Sequence, residues 1–237
     1  MARPRIMQRL ARWHIWLGWL IGLPLLMWTL TGLVMVSRPI DEVRGEHLRA
    51  EVVERALPAQ LALPAIPEGQ PRPVEVTFVT GTQAPVALAR FADGTTRRFS
   101  GETGAVLPDL SASDARDVLA RSIVTDSPLV EVRKFDADEP PFDFRRPVDV
   151  WRAEYGDGTR VYIGRASGEV LAVRTRFWRV FDFMWGLHIM DLQTREDSSH
   201  PILILFAALG VLGSLMGIVL LFRRRKVRRR ESIHAGR

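Results

Sequence analysis

Five histidines are the side chains of this sequence best suited to chemistry, and three of them sit beside long apolar runs. His14 lies in "RWHIWLG", and His188 and His200 bracket "GLHIMDLQTREDSSHP". An imidazole in such a place has two uses. Its unprotonated nitrogen can ligate a metal or a haem iron, and two imidazoles together fill both axial positions of an electron-transfer haem. It can instead cap a helix or sit among wet headgroups. His47 and His234 lie in polar segments and read as solvated.

The elements that must carry these residues are readable. Trp13–Ser37 and Pro201–Phe222 contain no Asp, Glu, Lys or Arg. Each exceeds the ~20 residues that cross a hydrocarbon core of about 30 Å. Trp13, Trp16 and Trp19 crowd one end of the first run, as interface aromatics do. That run is longer than the core of a cleavable signal, and no A-x-A site follows it, so it reads as an anchor. Charge sets the orientation. The net charge is +6, but the flank before Trp13 has four Arg and no acid, and the flank after Phe222 has eight Lys or Arg and one Glu. Basic flanks face the cytoplasm. The expected arrangement is a bacterial inner-membrane protein with both termini cytoplasmic and a periplasmic central domain. The "RRRKVRRR" run follows a span directly, so lipid headgroups rather than nucleic acid are its expected partner.

The chain has no cysteine. Disulfides, covalent c-type haem, iron–sulfur clusters and a cysteine nucleophile are thereby excluded. No H-E-x-x-H, G-x-S-x-G or P-loop pattern occurs, which sets hydrolase and kinase chemistry aside. Asp138, Glu139 and Asp143 could bind a cation, or simply form a solvated loop around Pro140 and Pro141.

The central region is duplicated. "ARFADGTTRRFSGETGAVL" (Ala89–Leu107) matches "AEYGDGTRVYIGRASGEVL" (Ala153–Leu171) at a constant offset of 64, and "VEV" recurs at Val74–Val76 and Val130–Val132 at an offset of 56. The second copy therefore carries about eight more residues, where "DADEPPFD" stands. Asp93-Gly94 and Asp157-Gly158 are expected in type I′ hairpins, with second turns at Thr103-Gly104 and Ser167-Gly168. Val161 and Ile163 alternate with Arg160 and Tyr162, as in a strand with one polar face. "SASDARDVLARSI" reads as a helix capped by Ser111 or Ser113, and a weaker helix is expected around Glu46–Leu57. The Pro-rich stretch after it is a loop.

A helix followed by a meander that closes on "YIGRASGEVLAV" resembles the PepSY domain, and "FSGETGAVL" is a looser copy. "RWHIWLGWLIGLPLLMWTLTGL" resembles the first span of PepSY-associated membrane proteins, with Gly18, Thr31 and Gly32 at matching places and Trp13 where a Leu is usual. "GLHIMD…HPILILFAALGVLGSLMGIVLLF" resembles a later span. The resemblance covers nearly the whole chain. It implies an α+β domain of two tandem PepSY-like units (38–110 and 111–175) between transmembrane helices at 13–37 and 201–222. An amphipathic interfacial segment at 176–200 and basic tails at 1–12 and 223–237 complete the layout.

The functions that the resemblance implies are split. Larger PepSY-associated proteins with four spans look like haem-b reductases of iron–siderophore complexes, whereas secreted PepSY domains look like protease-inhibitory modules. Two classes therefore stay open here. One is a haem-dependent membrane reductase passing electrons to periplasmic ferric iron or a ferric siderophore. The other is a non-catalytic anchored module that binds a periplasmic protein such as a protease. The candidate haem-binding residues are His14, His188 and His200. A helix from 14 to 36 rises about 33 Å, so His14 cannot share a haem with the other two within one chain. His188 and His200 together could hold an outer haem, or a homodimer could pair His14 with its copy. Gly18 with Gly22, and Gly213 with Gly217, are small-xxx-small pairs that fit such a homodimer or the packing of the two spans in one chain. Phe177, Phe181, Met184 and His188 share a helix face that suits a porphyrin or a bilayer surface, with Arg179 and Asp182 facing water.

Overall fold

The computed structural model describes residues 3–51, 56–80 and 84–235, with side chains over 6–51, 56–80 and 84–222. It divides into a helical unit, built from the chain up to Arg38 and from Val180 onward, and an α+β unit over Pro39–Arg179.

In the helical unit, α1 (Arg3–Met35) and α5 (Pro201–Ala235) hold the two candidate membrane spans, Ile6–Met35 and Pro201–Phe222. At 30 and 22 residues both are long enough to cross a bilayer. Both helices run on into their basic flanks rather than stopping at the apolar boundary. Pro24 lies inside α1, a placement that membrane helices tolerate because neighbouring groups re-satisfy the freed carbonyl. The two helices pack on each other along a glycine face of α5. A Cβ at Gly213 would lie 3.0 Å from Ile21 and 3.4 Å from Leu17, and one at Gly210 would meet Leu25 at 3.8 Å. Gly213 and Gly217 therefore serve the seam inside the chain. Nothing lies within 4 Å of Gly18 or Gly22, so of the four glycines expected at a dimer only that pair remains open.

The α+β unit begins with a short helix α2 (Ile40–Arg44) and a 3-10 turn over Glu46–Leu48. Two four-stranded antiparallel sheets follow, in the orders β1-β2-β3-β4 and β5-β6-β7-β8. The first contains β1 (Glu75–Thr80), β2 (Pro85–Arg90), β3 (Thr96–Ser100) and β4 (Val106–Leu107). The second contains β5 (Leu129–Phe135), β6 (Val150–Tyr155), β7 (Arg160–Gly164) and β8 (Val170–Arg174). β3 and β7 occupy residues related by the 64-residue offset, and the glycines of both turns match in conformation, Gly94 and Gly158 at φ 86° and 79°, Gly104 and Gly168 both at 73°.

The first turns are not type I′. Only the glycine has positive φ, and Gly94 N–H donates to Phe91 O while Phe91 N–H donates to Thr95 O. Tyr155, Gly158 and Thr159 repeat the pattern. A three-residue loop with glycine in the left-handed position closes each hairpin. Asp93 and Asp157 hold it by accepting from the backbone N–H of Thr95 and Thr159.

The helix α3 (Ala112–Ser122) is capped as a box, Ser111 accepting from Asp114 N–H and Asp114 accepting from Ser111 N–H. Its Ala115 and Leu119 bury against Ala153, Tyr155, Val161, Ile163 and Val173 of the second sheet. The equivalent face of the first sheet, Ala87, Ala89, Phe91 and Phe99, packs instead with Ile66 of the Pro-rich segment. That segment is pinned as an extended strap, Ala62 and Ala65 donating to the carbonyls of Gly101 and Gly104. The helix expected around Glu46–Leu57 is reduced, over its described part, to the 3-10 turn Glu46–Leu48. Gly45 turns the chain at φ 72°, and Arg49 then pairs with Ile123 in an isolated bridge. Residues 52–55 lie outside the described residues. The start of the unit packs on the second sheet. A Cβ at Gly45 would come within 2.6 Å of Val173, Ala50 N–H donates to Ser122 O, Val124 N–H donates to Leu48 O, and Arg49 donates to Val170 O.

Tyr162 does not face water, as the alternation with Val161 and Ile163 suggests. It is fully buried on the other face of the second sheet, beneath the extra residues of the β5–β6 loop. Phe144 stacks on its ring at 4.7 Å, and the Tyr162 hydroxyl donates to Asp143 at 2.5 Å. Asp143 also pairs with Arg160 at 3.2 Å. The loop that read as a cation site or a solvated turn is thus a cover: its innermost acid is buried and satisfied by Tyr162 and Arg160.

Candidate functional site

The three candidate histidines all fall in the helical unit. His14 projects from α1 into the α1–α5 seam. A Cβ at Gly217 would lie 3.1 Å from His14 Cε1 and 3.5 Å from its Nε2, so the absence of a side chain at 217 is what admits the ring. His14 Nδ1 is buried and has no hydrogen-bond partner among the described residues. A buried polar atom without a partner is uncommon and points to a group the protein alone does not supply.

His188 ends α4 (Arg176–His188) and is seated on α1 one helix length away. Its carbonyl accepts from Trp28 Nε1 at 2.9 Å, and its Nδ1 lies 2.9 Å from Thr31 Oγ. Thr31 is buried, and its hydroxyl is 2.8 Å from Met27 O and 3.1 Å from Trp28 O. A threonine inside a helix directs its one proton to such a carbonyl. The Oγ lone pair then accepts from His188 Nδ1–H. That assignment fixes the tautomer and leaves Nε2 with a free lone pair, the state of a ligating imidazole. Gly32 completes the seat, since a Cβ there would meet His188 Cε1 at 3.7 Å. Thr31 and Gly32 stood out in the sequence only through the resemblance of "LTGL". Their role is to orient a histidine 157 residues later. Trp28 carried no such signal, and Gly217 stood out only as a small residue paired with Gly213, because neither pattern nor spacing says which side chain it will admit.

Seventeen residues separate His14 from Thr31, about 26 Å along α1. The two imidazoles therefore mark two levels of the helical unit. His200 does not share the seat of His188. Its Nδ1 faces Ile202 N–H at 3.4 Å, at the start of α5, in the position of an N-cap. His47 is exposed, and the side chain of His234 lies outside the described residues.

The chain between His188 and His200 is tightly folded. Met190 takes a left-handed conformation at φ 58°, with Asp191 N–H donating to Gly186 O and Met190 N–H to Leu187 O. This closes α4 with a Schellman arrangement. Asp182 does not face water. It is buried in an ion pair with Arg195, whose carbonyl accepts from Trp185 Nε1. Asp191 accepts from Thr194, first through its hydroxyl, and these bonds hold its carboxyl below the ordinary range. Arg179 donates to the carbonyls of Gly158 and Arg174 in the α+β unit. Phe177, Phe181, Met184 and His188 are all half-buried.

Among the described residues no group of three or more His, Asp or Glu could hold a metal ion. Two apolar spanning helices, a pair of antiparallel sheets between them in sequence, and oriented histidines at two levels define a membrane-anchored α+β protein. The family model described as "PepSY-associated TM region" matches residues 11–236. The chain belongs to that family. Comparison with curated proteins and with solved structures returned no match.

Proposed function

We propose that this chain is a b-type haem protein of the bacterial inner membrane that passes single electrons outward, to ferric iron or a ferric siderophore. The observation that carries the reading is the 2.9 Å contact between Thr31 Oγ1 and His188 Nδ1; with the Thr31 proton directed to Met27 O, that contact leaves Nε2 free to ligate at one level of the spans. Haem, when bound, supplies the one-electron couple. The protein's part is to hold the imidazoles, exclude water and set the distance between levels. His14, wedged against Gly217 with Nδ1 unpartnered, is the ligand at the other level. Each level offers one well-seated imidazole. A second copy packed through Gly18 and Gly22 would bring a second His14 imidazole to that level, and His200, if released from its cap, would be the second imidazole at the level of His188. The basic flanks support an orientation with both termini in the cytoplasm and the two sheets, read as PepSY units, in the periplasm.

The test is the absorption spectrum of detergent-purified protein reconstituted with haem, oxidised and dithionite-reduced. A low-spin b-type spectrum is expected. His188→Ala should lose one haem or turn it high-spin, and Thr31→Val should weaken haem retention at that level by about 10–100-fold, because the orienting partner is gone. A wild-type protein that stays colourless sinks the proposal. The alternative reading, an anchored module that binds a periplasmic protein, is favoured by one observation, an open cleft in the α+β unit, and would then take over.

A further inference from the structure

Each sheet ends in two edge strands, and an edge is a row of unpaired backbone groups that invites another strand. Three of these edges are short, charged or covered. β4 is only two residues long. β5 carries Glu131, Arg133 and Lys134, all exposed, and its ladder shifts register between Leu129 and Glu131. β8 has α2 packed on it, and its Val170 carbonyl accepts from Arg49. The remaining edge, β1, has none of these devices. Its six residues pair with β2 in an unbroken register, from Glu75 opposite Arg90 to Thr80 opposite Pro85. Its one charge, Glu75, is held by Arg90 at 2.7 Å. No other strand lies beside it among the described residues. The ladder also shows which groups are open. Gly101 N–H donates to Pro85 O, so Pro85, Ala87 and Ala89 turn their backbone bonds to β3, and Val86, Leu88 and Arg90 turn theirs to β1. The residues opposite those three are Val79, Thr77 and Glu75. The alternate residues Val76, Phe78 and Thr80 therefore direct their N–H and C=O groups away from the sheet.

We propose that β1 pairs antiparallel with β1 of a second copy of this chain, about a two-fold axis at Thr77, so that two first sheets join into one. In that register Val76 and Phe78 exchange backbone hydrogen bonds with Phe78 and Val76 of the second copy, and Thr77 faces its own copy across the axis as a pair without bonds. Val76 and Phe78 already pack on the cluster of Ala87, Ala89, Phe91 and Phe99. Two aromatic–β-branched pairs thus carry that cluster across the join. Glu75 falls opposite Val79 of the second copy rather than opposite the other Glu75, so no like charges meet. The contact is isologous and closes on itself, which uses up the edge instead of propagating it. Anchoring through the spans concentrates the copies in one membrane, so an edge too short to hold soluble chains together suffices. The inference is independent of the haem reading and of any packing through Gly18 and Gly22.

The chain has no cysteine, so in the purified protein one introduced thiol can bridge only to another copy. The single variants Thr77→Cys, Glu75→Cys, Thr80→Cys and Val130→Cys are reconstituted as full chains in phosphatidylethanolamine–phosphatidylglycerol liposomes, oxidised with copper phenanthroline and resolved on a non-reducing gel. Directly opposed residues without bonds between them have Cα atoms about 4.5 Å apart, within disulfide reach. Thr77→Cys should therefore convert to a band at twice the chain mass. At about 3.4 Å per residue, positions 75 and 80 lie about 14 Å and about 20 Å along the strand from their own copies. Glu75→Cys and Thr80→Cys should cross-link at least about tenfold more slowly than Thr77→Cys, because direct bridging fails beyond about 7 Å. Val130→Cys, exposed on the charged edge β5, should be as slow. Reduced Thr77→Cys should melt with the wild type, because Thr77 is exposed. Absence of the double-mass band for Thr77→Cys overturns the proposal. So do equal rates at positions 75, 77 and 80, which would reflect collision alone, and so does fastest cross-linking at Val130→Cys, which would make β5 the open edge.

Discussion

Phe99 and Ile163 hold equivalent places in the two meanders, yet they are buried by different things. Phe99 packs in a cluster with Ile66 of an extended, proline-rich strap, whereas Ile163 packs with Ala115 and Leu119 of a capped helix. On the opposite faces the contrast grows. Tyr162 lies under Phe144 and Asp143, and Arg98 looks into a cleft. The strands and turns have been kept while the covers have changed. A meander specifies its hydrogen-bond ladder and its apolar face. It does not specify what covers that face, and any segment that brings apolar side chains and satisfies its own backbone can serve.

The largest test of this contrast is Phe144→Ala, which removes the ring that covers Tyr162. Urea unfolding of the full chain in detergent should show a loss of about 3–5 kcal/mol, whereas Phe142→Ala, in the same loop but exposed, should stay within about 0.5 kcal/mol. Equal effects would mean that the loop is no cover.

Next comes a matched pair of turn glycines. A Cβ at Gly104 would sit 2.3 Å from the backbone oxygen of Leu63 in the strap, whereas one at Gly168 would meet only the flexible end of Leu110 at 3.1 Å. Both substitutions carry left-handed strain of about 1–2 kcal/mol. Gly104→Ala should therefore cost clearly more than Gly168→Ala, because it also lifts the strap. The reverse order would show that the strap is not pinned.

Tyr162→Phe should cost about 1–3 kcal/mol, since the buried Asp143 loses its hydroxyl donor and keeps Arg160. No loss would mean that the Asp143 carboxylate does not depend on it.

The smallest effect is spectroscopic. Burial first, then Asp143, raises the Tyr162 hydroxyl above its ordinary value of 10.0, and burial first, then Asp157, raises Tyr155. An acid raised in the fold contributes stability in full below its unfolded value and loses it as pH climbs toward the folded one. These are the chain's two tyrosines. Tyrosinate absorbance should stay low at about pH 11 and rise only together with loss of the sheet signal. An early rise would show that the second sheet is as open as the first.

Local rules made much of this legible. The spans follow from length and charge, the repeat from the 64-residue offset, and the α3 cap from Ser111 and Asp114. What stayed hidden depended on partners distant in sequence. Asp182 read as solvated because Arg195 arrives from a loop 13 residues on, and Asp143 read as part of a solvated or cation-binding loop because Tyr162 is 19 residues away. Gly213 and Gly217 read equally as a dimer motif or as a seam within one chain, because a small residue announces close approach without naming the neighbour. The histidines were legible as candidates, but not the side chains that orient them. Thr31 acts through a hydroxyl lone pair, which no periodicity encodes.

Gly45, Arg49 and Ala50 join the second sheet and its helix, although the whole first sheet lies between them and those partners in the chain. The second sheet is therefore a discontinuous folding unit, and the first is nested inside it. Joining residues 48–50 to 122–124 closes a long loop, and its entropic cost grows with the loop's effective length, by about 0.6 kcal/mol per doubling. Once the first meander has folded, that loop is already short-circuited. Folding of the inner unit thus promotes closure of the outer one through chain connectivity, and local opening of the first sheet is transmitted to the second as slack.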